Sequence, residues 1–329
     1  MARILVTRPV AEPALEMLRN AFGADAIDLY EEDAIIPREE LLRRVAGKDG
    51  VFALLSEKVD AEFLEAAGPG LRIVANMAVG YDNITVPECS QRGVAVTNTP
   101  DVLTETTADL AWGLIIGASR RFAEAERFLR NGEWKEWSPT LLCGVDVYGK
   151  TLGILGMGRI GQAVARRATG FGMRVIYHNR SRLPEDTERA LNAERVDLPT
   201  LLAESDILSV HCPLGDATHG ILGAEAFKAM KPTAVLVNTS RGPVVDETAL
   251  AEALLAKEIF AAGLDVFERE PSVHARLLEC DNVVLLPHLG SATYATRQRM
   301  AETAAANLVA FFSGKRPPNC VNPEVLQGG

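Results

Sequence analysis

Short apolar, β-branched runs recur along the chain at residues 4–6, 51–55, 73–75 and 94–97. A second series falls at 152–155, 175–177, 207–210, 235–237, 262–266 and 283–286. These runs carry little polar alternation, which is how strands buried on both faces of a parallel sheet read. Amphipathic helical patterns separate them, so the chain predicts an α/β fold of doubly wound parallel sheets. A long helical stretch over 103–129 lies between the two series. Another over 292–312 runs into Gly314-Lys315-Arg316-Pro317-Pro318, a strong stop. The expected architecture is two doubly wound units with a cleft between them.

The strand pattern at 150–155 leads directly into Gly156-Met157-Gly158-Arg159-Ile160-Gly161, followed by a helical pattern at 162–168 and a strand pattern at 173–177. A lone G-x-G-x-x-G is a weak signal, but between strand and helix it is a strong dinucleotide-binding one. Gly156 permits the tight turn, Gly158 lets backbone approach the pyrophosphate, and Gly161 lets helix and strand pack closely. Arg159 and Ile160 stand in this loop, and the helix after it presents free N–H groups and a positive partial charge to the phosphates. An NAD site usually places Asp or Glu after the second strand to bind the ribose 2′-hydroxyl. This chain reads Tyr177-His178-Asn179-Arg180-Ser181-Arg182 there. Arg180 is a multidentate donor suited to a 2′-phosphate, and Asn179 and Ser181 share its corner. NADP(H) is therefore the expected preference, with NAD(H) possible. The competing reading leaves Arg180 and Arg182 as solvated surface arginines.

Three further segments follow strands of the same series: Asn238-Thr239-Ser240-Arg241-Gly242, 265–271 and 286–291. Open parallel sheets bind ligands at the carboxyl ends of their strands. Arg241, Glu270 and His288 at that edge form an acid–base and anion-binding set. Arg241 could instead anchor its loop, and Glu270 could be a turn residue before Pro271. Glu268, two places earlier, is a rival carboxylate. His178, His211, His219 and His274 have no such setting and read as ordinary polar residues.

With these segments, Ala78-Val79-Gly80-Tyr81-Asp82-Asn83 and the 102–121 helix with Thr106-Thr107-Ala108-Asp109, the chain resembles the D-isomer-specific 2-hydroxyacid dehydrogenases over essentially its whole length. Among them it is most similar to the glyoxylate/hydroxypyruvate reductases. The resemblance implies a flavodoxin-like substrate-binding domain, 1–99 with 290–329, into which a Rossmann dinucleotide-binding domain, 100–289, is inserted. It implies NADPH-preferring reduction of glyoxylate to glycolate and of hydroxypyruvate to D-glycerate. His288 would be the general acid, a role that suits a side chain titrating near working pH. Glu270, directly before the proline as the family has it, would orient the imidazole and favour its protonated form. Arg241 would grip the substrate carboxylate and polarise the carbonyl. Backbone N–H groups at Val79 and Gly80 would help hold the carboxylate, and Leu55 would line the substrate pocket. Thr107 would lie near the nicotinamide, and Asp265 would accept from its carboxamide. Cys212-Pro213 would pass beside the cofactor, with Thr239, Ser240 and Gly290 completing its contacts. Trp137 would sit on an arm capping the partner's site in a homodimer whose interface includes 103–121; otherwise it is a core or interface aromatic.

Several sibling activities fit less well. A D-3-phosphoglycerate dehydrogenase would more often show an acidic residue after the second cofactor strand, and commonly a C-terminal regulatory domain. A phosphite dehydrogenase would carry lysine in the loop where Val79 stands, and a formate dehydrogenase glutamine in place of Glu270. A broader 2-ketoacid or 2-ketogluconate reductase is the runner-up, because one loop can resize a pocket without changing the chemistry. A dinucleotide-sensing corepressor of the same fold is the reading from a different class.

Composition narrows the setting. At roughly 150 residues per domain, the 329 residues suit two domains. The formal net charge of −10 argues against general affinity for nucleic acid or anionic membrane. Cys89, Cys143, Cys212, Cys280 and Cys320 are scattered without a C-x-x-C pair, so reduced thiols are expected and no metal site. No run approaches the ~18 apolar residues of a membrane span, and the apolar start at 4–6 is too short for a signal peptide. The expected location is the cytoplasm.

Overall fold

The structure, a computed structural model, describes residues 2–327. The chain forms two compact units, Met1–Leu103 with Ala292–Gly329, and Thr104–Ser291. The division falls at 103/104 and 291/292, where the family resemblance implied 99/100 and 289/290.

The first unit holds β1 (Ile4–Val6), β2 (Ile27–Leu29), β3 (Gly50–Ala53), β4 (Ile73–Asn76) and β5 (Ala95–Thr97) in the order β2-β1-β3-β4-β5. This is the flavodoxin-type order. The second holds β6 (Thr151–Leu155), β7 (Arg174–His178), β8 (Ala193–Arg195), β9 (Ile207–Val210), β10 (Val235–Asn238), β11 (Ala261–Leu264) and β12 (Val283–Leu285). Their order, β12-β11-β10-β9-β6-β7-β8, is the Rossmann order with one further strand. All strand pairs in both sheets are parallel.

Side-chain alternation explains the continuous apolar runs. Leu152 and Ile154 of β6 enter one core layer while Leu155 enters the layer on the opposite face. Val235 and Val237 of β10 join the first layer and Leu236 the second. Each fully buried aliphatic side chain contributes about 1.5–3 kcal/mol, whereas an exposed ion pair such as Lys228–Glu225 is screened by solvent and contributes little. The strand cores therefore dominate.

The pattern missed β2 and β8. Both are edge strands pairing on one side only, and their sequences, Ile27-Asp28-Leu29 and Ala193-Glu194-Arg195, are partly exposed. An edge does not require apolar residues on both faces. The helical stretch expected over 103–129 is two helices, Thr104–Ser119 and Phe122–Arg130. Arg121 breaks it at φ 56°. The Ser119 carbonyl accepts from Val145 N–H (2.9 Å), and a Cβ at Gly144 would collide with that carbonyl. A segment more than twenty residues downstream thus seals the helix end, a contact that local periodicity does not record. The last helix, Tyr294–Phe312, is capped by Thr293, whose hydroxyl accepts from Thr296 N–H (3.2 Å). Gly314 follows its end at φ 74°.

Among the described residues, no helix is long and apolar enough to cross a membrane, and no three His, Cys, Asp or Glu gather as a metal site. The thiols are all free. Burial pushes those of Cys89 and Cys212 up to about 11, whereas Cys143 is exposed. With iodoacetamide near neutral pH, Cys143 should be alkylated at least about tenfold faster than either buried thiol. Equal labelling of Cys89 or Cys212 in the folded protein would contradict this packing.

Candidate active site

The glycine loop joins β6 to the helix Arg159–Ala168. Gly156 has φ 99°, and a Cβ there would collide with the Cys212 backbone just beyond β9. A Cβ at Gly161 would strike the Gly156 carbonyl, so this glycine lets the helix press on the loop. Gly158 faces open space, and the helix it opens has no side-chain cap. Accessible backbone at a helix N-terminus suits a pyrophosphate. The indole N–H of Trp112 donates to Val164 O (3.0 Å), and its ring stacks on Phe171 (4.4 Å between centroids). This fixes the helix carrying Thr107 against the dinucleotide helix.

At the end of β7, Asn179 Oδ1 accepts from Met157 N–H (2.7 Å) and so supports the glycine loop. Arg180 and Ser181 are exposed. Arg182 is not simply solvated: it pairs with Glu188 (2.7 Å), which also accepts from the Tyr177 hydroxyl.

The loops after β10, β11 and β12 lock together. His288 Nδ1 lies 2.7 Å from Glu270 Oε2. Burial raises the Glu270 carboxyl, but the hydrogen bond and charge of His288, with Phe267 N–H and Arg241, outweigh it and hold the group below its ordinary value. Glu268, the rival, is committed elsewhere. It accepts from Glu247 N–H (2.9 Å), while Glu247 accepts from Glu268 N–H (2.6 Å). His288 sits at φ 55°, a left-handed conformation costing about 1–3 kcal/mol. Buried Asp265 holds it there, accepting from Leu289 N–H (2.6 Å) and Gly290 N–H (2.8 Å) through its carboxylate and from His288 N–H (2.9 Å) through its carbonyl. Each carboxylate oxygen retains acceptor capacity. Thr107 donates to Gly290 O (3.0 Å), bringing Thr107, Asp265 and Gly290 together.

Arg241 donates to Ser240 O (2.8 Å), and Asn238 Oδ1 accepts from both the N–H and the hydroxyl of Ser240 (3.0 Å each). Two residues that sequence reasoning passed over complete this loop. A Cβ at Gly242 would collide with Phe267 and Glu268 backbone, so only glycine lets the Arg241 loop approach the Glu270 loop. His211 is no ordinary polar residue: its ring contacts Ser209 Oγ (2.8 Å) and Thr239 Oγ1 (3.4 Å). Burial pushes it down to about 3, so it tethers Thr239 as a neutral ring. Cys212 is buried and Pro213 exposed beside it.

In the first unit, Val79 and Gly80 follow β4. Their carbonyls accept from Asn98 (2.8 Å) and Asn76 (3.0 Å) side-chain amides, which fixes both peptide planes. Asn83 donates to Leu54 O (3.1 Å) and Glu57 O (2.9 Å), tying this loop to the one bearing exposed Leu55. Trp137 belongs to the second unit and is 77% exposed.

Residues 112–290 match the family described as D-isomer specific 2-hydroxyacid dehydrogenase, NAD binding domain. The chain is 51% identical to the glyoxylate reductase of Thermococcus onnurineus over 98% of its own length and 97% of that protein's. It is similar to the crystal structure of a Thermus thermophilus protein, with 44% identity, a TM-score of 0.89, and 97% and 99% of the two chains covered. It is also similar to an NADPH-dependent glyoxylate/hydroxypyruvate reductase from Sinorhizobium meliloti in complex with NADP and malonate. There the identity is 36%, the TM-score 0.83, and the coverage 97% and 96%. The chain is an NAD(P)-dependent oxidoreductase and belongs to the D-isomer specific 2-hydroxyacid dehydrogenase family.

Proposed function

We propose that this enzyme reduces glyoxylate to glycolate and hydroxypyruvate to D-glycerate, with NADPH preferred over NADH. The observation that carries the chemistry is the His288–Glu270 pair at 2.7 Å, with Arg241 acting electrostatically on the same carboxylate. The substrate assignment is supported by the relatives named glyoxylate reductase and glyoxylate/hydroxypyruvate reductase. When bound, the reduced nicotinamide supplies a hydride to the carbonyl carbon. Arg241 binds the substrate carboxylate and draws electron density toward the carbonyl oxygen. Glu270 accepts the Nδ1 proton of His288, which leaves Nε2 to carry the proton that is transferred. His288 delivers that proton to the oxygen as the C=O π bond breaks. Thr107, Thr239, Ser240, Asp265 and Gly290 are the remaining cofactor residues of this reading. The second unit is its dinucleotide-binding domain, and the first its substrate-binding domain, with Leu55, Val79 and Gly80 facing substrate. The five free thiols support a cytoplasmic location.

NADPH oxidation followed at 340 nm with glyoxylate and hydroxypyruvate tests the activity. His288→Ala should lower kcat by about 10²–10⁴-fold, and Glu270→Gln, which removes charge but keeps shape, by about 10–100-fold. Turnover confined to larger ketoacids such as 2-ketogluconate would overturn the substrate assignment, and unchanged turnover in His288→Ala the acid assignment.

The NADPH preference rests on exposed Arg180, with no carboxylate from Asn179 to Arg182. Arg180→Ala should raise KM for NADPH about tenfold or more while leaving KM for NADH within about threefold. Equal loss with both cofactors would remove Arg180 from the phosphate site.

We also propose a homodimer. The 122–148 stretch exposes Phe122, Leu129, Trp134, Trp137 and Tyr148, an apolar display that suits an interface. Light scattering should give twice the 35.5 kDa chain mass. If Trp137 caps the partner's site, Trp137→Ala should raise KM for the ketoacid and leave that for NADPH unchanged. A monomer with full activity would rule out both ideas.

A further inference from the structure

The corner after β7 is held by a residue no motif marks. β8 pairs with β7 so that Arg195, its last residue, stands in register with Tyr177. It therefore emerges at the same carboxyl edge as Asn179-Arg180-Ser181. Arg195 is exposed, and its Nη2 donates to Asn179 O (3.1 Å) and Arg180 O (3.2 Å). One guanidinium nitrogen thus bridges two consecutive carbonyls of the turn. Asn179 is itself tied to the glycine loop through Met157 N–H. The clamp fixes the direction in which Arg180 and Ser181 leave the strand.

Charge at the corner makes this more than a structural brace. Arg182 is spent on Glu188, whose side chain is only 9% exposed. Glu194, beside Arg195, is paired with Arg174 (2.8 Å). The Arg195 hydrogen bonds go to neutral carbonyls, and the carboxylate that feels its charge, Glu188, is already paired with Arg182, so positive charge is left at the corner that carries Arg180. A phosphate monoester carries about −1.5 to −2 charge near neutral pH, more than one arginine neutralises. A guanidinium has five N–H donors, so one nitrogen can hold the turn while the others serve an anion.

We propose that Arg195 is the second cation of a 2′-phosphate site, both orienting the turn that carries Arg180 and supplying charge to the phosphate of an NADP-type dinucleotide. This rests on the NADPH reading above and names a specificity-determining residue for it on the neighbouring edge strand.

Binding to the full-length enzyme tests it, with affinities for NADPH and NADH measured by nicotinamide fluorescence and for 2′-phospho-ADP-ribose and ADP-ribose by calorimetry. Arg195→Ala should weaken the two phosphorylated ligands about 10- to 100-fold and the other two by less than about threefold. Arg195→Lys keeps the charge but not the planar fork, so it should recover part of the NADPH affinity. Arg195→Gln, with circular dichroism and melting as controls, should behave as the alanine variant does. Equal weakening of all four ligands, or no weakening at all in a wild type that prefers NADPH, overturns the inference alone. A wild type that binds NADH as tightly as NADPH overturns the cofactor reading and this inference with it.

Discussion

The carboxylate of Asp265 is the constraint on which the placement of His288 depends. It lies buried at the end of β11 and takes the N–H groups of two consecutive residues, Leu289 and Gly290, from the loop after β12. Its own N–H donates to Asn238 O (3.0 Å) at the end of β10. Three adjacent strand ends are thereby joined through one residue. The reward is positional, since His288 is carried to φ 55° within reach of Glu270. Burial raises the Asp265 carboxyl despite the two amide bonds. A carboxyl raised on folding favours the native state below its unfolded pKa and opposes it as pH rises through the folded value. The carboxyl of Asp265 therefore contributes less to stability at neutral pH than in acid. Glu270 has the opposite sign: its carboxyl is lowered, so its stabilisation is present above the unfolded pKa and lost as pH falls through the folded one. One carboxyl that contributes more in acid and one that contributes more at neutral pH hold the same histidine, which is what a site shaped by position rather than by stability looks like.

How far the sequence reveals this depends on whether a feature is local. The central strands were legible because both of their faces are buried and their residues are uniformly apolar. β2 and β8 were not, because an edge strand has one open side and tolerates Asp28, Glu194 and Arg195. The break at Arg121 was hidden for a different reason: its cause, the Val145 N–H on Ser119 O, lies far along the chain. In the site, the glycine loop and the Arg241, Glu270 and His288 segments could be placed at strand ends from pattern alone. Pattern could not separate Glu268 from Glu270 without the family resemblance, because both stand in one short acidic turn. The difference appears only when Glu247 and Glu268 exchange backbone bonds and leave Glu270 to the histidine.

Glycines show how the loops reach one another. Gly156 rests against Cys212 backbone, and Gly242 against Phe267 and Glu268. A Cβ added at Gly290 would lie 3.4 Å from both Asp265 Oδ2 and Thr107 Oγ1, ordinary contact. At the first two positions a Cβ would overlap backbone that cannot rotate aside, so a methyl group there would have to displace a whole loop. Backbone approach thus sets these two loops, whereas the His288 loop is held by the Asp265 carboxylate. His211 and Thr239 add a further side-chain tether, through a neutral imidazole.

This arrangement separates chemistry from selectivity. The residues around His288 are bonded to one another at one edge of the seven-stranded sheet, with little freedom to vary singly. Val79, Gly80 and Leu55 are held by an independent set of asparagine bonds in the first unit, and Arg195 stands on an edge strand apart from the His288–Glu270 pair. If those sets contact ketoacid and dinucleotide as proposed, substitutions in them change which ligand fits without touching the bonds among His288, Glu270 and Asp265. A hydrophobic pocket discriminates by only about 1–3 kcal/mol per methylene, whereas an unpaired charge opposite a phosphate costs more. On the proposed assignment, cofactor choice is therefore the sharper of the two selectivities.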